Sequence, residues 1–247
     1  LMAEPDVALK YVTTPSLVEQ ADIVIVPGSK NTLADLSYLR EQGYDCILER
    51  HVWSGGELVG ICGGYQMLGR TISDSYHVEQ GGISPGLGYL RIETELSQRK
   101  CTEQVEANPT GTLVADQPIV SGYQVHMGVT VHRNERPCFR LQRRVTPIEG
   151  TYPLTTAQED SCDGAIREDG LVWGTYIHGV FDEPRFRRAW LNRARARKGL
   201  LPVGVDTSRS VTARLRGELD RWTDHLSRSF DMTRLLSCLP HRRILSL

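Results

Sequence analysis

Two short apolar runs, each ending in a glycine turn that opens into a helix, constrain this chain more than any other feature. Asp22-Ile23-Val24-Ile25-Val26 is a continuous β-branched stretch closed by Pro27-Gly28, and Glu57-Leu58-Val59-Gly60-Ile61-Cys62 runs directly into Gly63-Gly64. Strands without polar alternation are buried on both faces, which calls for helices on both sides of a parallel sheet. Helical patterns follow each run. Asn31 or Thr32 is placed to cap a helix through Leu33, Leu36 and Leu39, whose spacing of three gives one apolar face. A second helix is expected over Asp45 to Val52, and Gly63 to Gly69 reads as a helix start. The alternation predicts an α/β fold with a mainly parallel sheet.

The middle third reads differently. Tyr89 to Leu96, Gln104 to Val114, Ile119 to His126, Thr130 to Asn134 and Phe139 to Val145 read as strands separated by turns, a more antiparallel region. Asp163 to Arg167 and Leu171 to Ile177 then predict a hairpin around Glu168-Asp169-Gly170. Glu183 to Lys198 predicts a basic amphipathic helix, and its arginines (Arg185, Arg187, Arg188, Arg193, Arg195, Arg197) read as a solvated face. A further helix is expected from Ser208 to Leu226, with Val211, Leu215, Leu219 and Trp222 on one stripe, before a weakly patterned tail from Phe230. Val7 to Val12 reads as a short strand near the N-terminus.

Composition removes several classes of function. A formal net charge of -1 over 247 residues leaves no basic footprint for nucleic acid. No apolar run approaches the roughly 18 residues needed to span a bilayer, and no signal peptide precedes the first strand. The six cysteines (Cys46, Cys62, Cys101, Cys138, Cys162, Cys238) contain no C-x-x-C pair. This argues against a zinc site or a disulfide framework and for reduced thiols in a cytoplasm.

Chemistry concentrates at strand ends. Gly60-Ile61-Cys62-Gly63-Gly64 has the form of a nucleophile elbow, in which a sharp strand-to-helix turn lifts a side chain clear of the sheet. A helix N-terminus there is expected to lower the thiol pKa and to offer N–H groups to an oxyanion. The same pentapeptide also fits a buried structural cysteine. A thiol nucleophile needs a base. His51, His77, His132, His225 and His241 lie in polar or helical contexts, whereas His178 closes the run Leu171 to Ile177 and is followed by Gly179. A parallel strand would deliver it to the edge that presents Cys62. His126, at the end of Gly122-Tyr123-Gln124-Val125-His126, is the rival. The third element, Pro27-Gly28-Ser29-Lys30-Asn31-Thr32, lacks the Walker spacing and reads as a turn or an oxyanion loop. A thiol, an imidazole and backbone donors on one sheet edge make an acyl-transfer site.

Taken in order, these segments carry a resemblance. Pro27-Gly28-Ser29-Lys30-Asn31-Thr32, Gly60-Ile61-Cys62-Gly63-Gly64-Tyr65-Gln66-Met67-Leu68-Gly69, Gly86-Leu87-Gly88, Gly122 to Gly128 and Gly174-Thr175-Tyr176-Ile177-His178-Gly179-Val180-Phe181 resemble the triad (class I) glutamine amidotransferases, specifically the glutaminase domains of the cobyric acid synthase family. The resemblance implies a flavodoxin-like, mainly parallel sheet flanked by helices, with an antiparallel β segment in the middle and a helical C-terminus. It implies a glutaminase domain over 1–200, lacking its first strand, and a helical extension over 201–247 packed on that domain. Cys62 would form a γ-glutamyl thioester with His178 as base. Gly28, Ser29 and Gly63 would bind the oxyanion, and Gln66, His126, Met127 and Gly128 would hold the glutamine. The ammonia would amidate carboxylates of a corrinoid acceptor, adenosylcobyrinic a,c-diamide, with ATP and Mg used by an N-terminal synthetase domain. No cofactor or metal is expected within this chain, nor any nucleic-acid or membrane partner.

One departure from the family pattern stands out. Most triad members place Pro-Glu directly after the histidine, whereas here His178 precedes Gly179-Val180-Phe181-Asp182-Glu183. Either Asp182 or Glu183 serves as third member, or the site is a Cys–His dyad. Other readings remain at this point: a glutaminase for a different acceptor (cobyrinic acid a,c-diamide formation or a cell-wall lipid), a stand-alone cysteine hydrolase, or an inactive binding module of the same fold.

Overall fold

The computed structural model describes residues 1–2, 4–145, 162–205 and 211–231, with the side chains of 143–145, 211, 212 and 214 left aside. The chain divides into two units, Leu1–Ser208 and Arg209–Leu247.

The first unit carries two sheets. Strands β1 (Ile23–Val26), β2 (Glu57–Ile61) and β10 (Val172–Thr175) pair in parallel, and β9 (Ala165–Ile166) closes the edge antiparallel to β10. Helices α1 (Thr32–Glu41), α2 (Tyr44–Trp53) and α3 (Gly63–Met67) pack on one face, and α4 (Pro184–Arg197) packs on the other. The apolar strands explain this arrangement. Leu58 and Val172 bury against Leu33, Leu36 and Leu48, while their neighbours Val59 and Trp173 bury against Phe186, Trp190 and Leu191. Alternate residues thus feed two cores. Asn31 settles the capping question, since its side chain accepts the Ala34 N–H at 3.0 Å.

The second sheet is built on two long strands. The order is β11 (Ile177–His178), β6 (Val120–His132), β5 (Ile92–Pro109), β3 (Thr71–Asp74) and β4 (Gly82–Pro85), with β7 (Phe139–Val145) also on β5 and β8 (Cys162–Asp163) on β7. Four expected strands are therefore two. The break expected between Leu96 and Gln104 is instead an irregularity inside β5, where the register with β6 shifts between Glu95 and Lys100. Gly128 lies opposite with φ +116°, and a Cβ there would come within 2.8 Å of the Glu95 carbonyl oxygen.

Two further expectations are corrected. Val7 to Val12 joins no strand ladder; the N-terminal residues are held instead by ion pairs from Glu4 and Asp6 to α4. Apart from Arg185, which is exposed, the arginines of α4 are also not a simple solvated face. Arg187 and Arg188 are among the most deeply buried side chains in the chain. Arg187 Nε meets Glu4 at 2.5 Å, Arg188 meets Asp6 at 2.9 Å, and Arg193 and Arg197 both pair with Glu57. Glu57 opens β2 with no exposed surface, and it also accepts the indole N–H groups of Trp173 and Trp190, each at 2.7 Å. Charge-counting along the helix missed the acidic partners because they lie far away in sequence.

The second unit is described only over α5 (Val211–Ser229), Phe230 and Asp231, and Leu215, Leu219 and Trp222 of α5 are exposed. The expected helix start at Ser208 and the tail beyond Asp231 lie outside the described residues.

Because Glu57 is buried with four donors, removing it strands two guanidinium groups and two indoles. Glu57→Ala is expected to lower stability by about 3–5 kcal/mol, read as a reduced midpoint in urea unfolding.

Candidate active site

The parallel strands end on one edge, and Cys62 stands there. It is the residue between β2 and α3, with φ 54° and ψ -113°. A non-glycine side chain in that region is strained, at a cost of about 1–3 kcal/mol, and is retained where the surroundings enforce it. The Cys62 N–H donates to the Thr175 carbonyl at 2.9 Å, so the end of β10 anchors the turn. Gly64 lets α3 start this close: a Cβ there would overlap the Val26 carbonyl oxygen at the end of β1.

His178 arrives by a different route from the one its sequence position predicts. The run Leu171 to Ile177 was expected to continue as one parallel strand with His178 at its end. Instead β10 stops at Thr175, and the chain crosses to the second sheet, where β11 pairs antiparallel with β6 in the register His178 to Tyr123. The ladder ends because the Tyr176 N–H donates to the Asp163 carboxylate at 3.2 Å and the Ile177 N–H to the Thr175 hydroxyl at 3.0 Å. Both amides are spent on side chains.

The crossover still brings His178 to Cys62. A methyl group built on Gly28 would lie 3.4 Å from Cys62 Cβ and 3.6 Å from His178 Cε1, so both side chains border one point. The Val125 carbonyl faces both as well. It accepts the Cys62 thiol at 3.4 Å and is the hydrogen-bond acceptor for the His178 ring. His178 Nε2 is buried without a partner among the described residues. Tyr123 stacks flat on the imidazole, with centroids 5.0 Å apart and planes 7° from parallel.

The other expected residues fall around this pair. A Cβ on Gly63 would meet the Ser29 N at 2.9 Å, so the turn after Cys62 lies against the 28–29 loop. The Gly63 N–H also points at the Cys62 sulfur. Gln66 is buried and fully engaged: its Nε2 donates to the Met127 carbonyl at 3.3 Å and to Tyr176 Oη at 3.1 Å, and its Oε1 accepts from Thr32 at 3.3 Å. It holds the 126–128 edge against α3. His126, the rival base, stacks on Tyr176 at 3.8 Å and turns Nδ1 toward the Gly128 carbonyl. Among the described residues, neither Asp182 nor Glu183 bonds to His178. The Glu183 carboxylate accepts the Arg185 N–H and caps α4, while Asp182 closes a turn through its N–H to the Gly179 carbonyl at 2.8 Å.

Electrostatics corrects one expectation about the thiol. Burial pushes the Cys62 pKa up; the Gly63 N–H acts to lower it and the Asp163 charge to raise it. A five-residue helix does not outweigh that desolvation. Burial likewise pulls the His178 pKa below its ordinary value, with the bond to Val125 opposing the shift. Both shifts favour a neutral thiol beside a neutral imidazole. Sequence reasoning did not single out Tyr123, Tyr176 or Asp163. The two tyrosines sit inside the quoted motifs, but Asp163 lies outside all of them.

A cavity of about 630 Å³ lies elsewhere, bordered by Trp53, Arg70, Tyr89 and Arg167, and no residue of the Cys62 site lines it. Among the described residues no cluster of three or more His, Cys, Asp or Glu fits a metal ion, and no helix is long and apolar enough to cross a membrane.

Comparison with known proteins identifies the family. A family model described as the CobB/CobQ-like glutamine amidotransferase domain matches residues 1–186. The chain is 47% identical over 213 residues to the cobyric acid synthase of Salmonella heidelberg (strain SL476), and equally to that of Salmonella typhi, covering 82% of this chain. It spans only 38% of the length of those relatives. A solved structure described as a glutamine amidotransferase shares the fold, with a TM-score of 0.50 at 21% identity over 75% of this chain and 85% of that one.

The neutral pair sets a measurable expectation. His178 should titrate below the ordinary histidine value by NMR, and iodoacetamide labelling of Cys62 should show a midpoint above that of an ordinary exposed thiol. A Cys62 midpoint well below the ordinary thiol value would mark a preformed thiolate–imidazolium pair instead.

Proposed function

The chain belongs to the CobB/CobQ-like glutamine amidotransferase family, and from that premise we propose that it hydrolyses glutamine at Cys62 and His178 to supply ammonia to a corrinoid-amidating synthetase. The observation that carries the reading is the meeting of a strained strand-end thiol and a buried, unpartnered imidazole nitrogen beside Gly28.

In this reading His178 Nε2 takes the Cys62 proton as the sulfur attacks the side-chain amide carbon of glutamine. The carbonyl oxygen becomes an oxyanion, and in this reading the N–H groups around Gly63 and the 28–29 loop receive it. The protonated imidazole then returns its proton to the departing nitrogen, which leaves as ammonia. A γ-glutamyl thioester remains on Cys62. Water, deprotonated by His178, attacks that thioester and releases glutamate, restoring the thiol. Neutral starting forms suit this cycle, because the base must accept a proton before it can donate one. No carboxylate is needed to orient the ring, since Val125 and Tyr123 already fix it on two sides. In this reading the site works as a Cys–His dyad, with Asp182 in the turn and Glu183 at the helix cap.

The reading of the acceptor is supported by the likeness to cobyric acid synthases. We assign the ammonia to side-chain carboxylates of adenosylcobyrinic a,c-diamide in cytoplasmic cobalamin synthesis, with ATP and Mg used by an N-terminal synthetase domain. Other acceptors of the wider family, cobyrinic acid or a cell-wall lipid, are distinguished by assaying each with the full-length protein.

Cys62→Ala in the full-length protein is expected to abolish glutamine-dependent amidation, while amidation from added ammonium salt continues. Loss of both activities would remove Cys62 from the role of nucleophile.

A further inference from the structure

Asp163 takes no part in the cycle above, yet it touches every part of the frame around it. The residue closes β8 and is 4% exposed. Its Oδ1 accepts Gln124 Nε2 at 2.7 Å and the Tyr176 N–H at 3.2 Å, and its Oδ2 accepts the Thr175 hydroxyl. Each donor leads to a different piece of the site. Thr175 ends β10, and its carbonyl holds the Cys62 N–H. Tyr176 is the residue at which the chain leaves one sheet for the other, two positions before His178. Gln124 precedes Val125, whose carbonyl faces both the thiol and the imidazole.

We propose that Asp163 is the positioning residue that sets Cys62 against His178, by fastening three segments to one carboxylate: the strand end behind the nucleophile, the crossover that turns the histidine, and the strand carrying the shared carbonyl. A carboxylate suits this task. It offers about four acceptor positions in one plane, where a single carbonyl offers two. Burying it is costly unless several donors compensate, and Thr175, Tyr176 and Gln124 supply them. The arrangement also places a fixed negative charge near the thiol, which opposes thiolate formation. That charge separates a positioning role at this site from a general structural one.

Only the catalytic arm of the test rests on the proposed glutaminase reaction. Asp163→Asn and Thr175→Val are prepared in the full-length protein. Glutamate release gives kcat and KM, and mass spectrometry of the Cys62 peptide gives iodoacetamide labelling against pH. Asp163→Asn is expected to lower kcat by about 10²-fold, the scale of a small misplacement of reacting groups, with KM nearly unchanged. Its labelling midpoint for Cys62 should move to lower pH, because the neighbouring charge is gone. Thr175→Val keeps the charge, so kcat should fall about tenfold while the midpoint stays in place. A parent-like midpoint in Asp163→Asn overturns the inference, as does kcat within about twofold of the parent in both variants. Should Asp163→Asn not fold, Thr175→Val decides by its kcat alone. Should the parent itself release no glutamate, the glutaminase reading fails, and the direction of the Asp163→Asn midpoint still decides this one.

Discussion

The site depends first on how closely α3 crosses the strand ends. A helix that begins at Gly63, one residue after a strand, must lie almost on the backbone of its neighbours. At Gly64 the approach to the end of β1 leaves no room for a Cβ, and at Gly174 a Cβ would meet the Tyr65 ring and the Gly60 carbonyl oxygen. With side chains at these positions α3 would lift, and Cys62 would relax from its left-handed conformation into the sheet. The strain at Cys62 is thus held by missing side chains around it as much as by the hydrogen bond to Thr175. The position of the buried thiol at this strand-to-helix turn is thus the consequence of close backbone packing.

A second constraint works from the opposite face. Placing Glu57 at the start of the central strand buries a carboxylate that must be matched, and α4 matches it with Arg193, Arg197 and the Trp190 indole. The same helix turns Arg187 toward Glu4 and toward the Phe181 and Asp182 carbonyls, the latter two at 2.6 and 3.2 Å. Those carbonyls belong to the turn that follows His178. The helix that neutralises the strand therefore also braces the loop leaving the histidine. Such buried pairs contribute little net stability compared with an apolar core, but each becomes costly when one partner is lost. Their effect is to fix which helix packs where.

Much of this was legible in the sequence, and the part that was not has a common cause. The apolar runs Ile23 to Val26 and Leu58 to Ile61 announced parallel strands, because a strand buried on both faces cannot hide its composition. Cys62, Gly28 and Gln66 were readable because local spacing determines a strand–turn–helix. His178 was identified for a reason that proved only half right: the residue reaches the site, but on an antiparallel strand of the other sheet. Its register there depends on Asp163 and Tyr123, which are distant in sequence. The arginines of α4 misled for the same reason, since Glu4, Asp6 and Glu57 lie more than a hundred residues upstream. Periodicity reports what one element shows to its surroundings; it does not report which distant side chain supplies the opposite charge.

The two pKa shifts at the site follow from this architecture. A triad carboxylate bonded to the imidazole would stabilise its protonated form and raise its pKa. Here the ring partner is the neutral Val125 carbonyl, so desolvation prevails and the imidazole stays neutral. The thiol shares that carbonyl and the same burial, and the charge of Asp163 also favours its protonated form. A site built this way holds no standing ion pair. In the proposed reaction the charge separation arises only as a carbonyl carbon takes the electron pair of the sulfur and N–H groups take the charge on oxygen. Burial on this edge therefore favours the neutral form of both the thiol and the imidazole at rest.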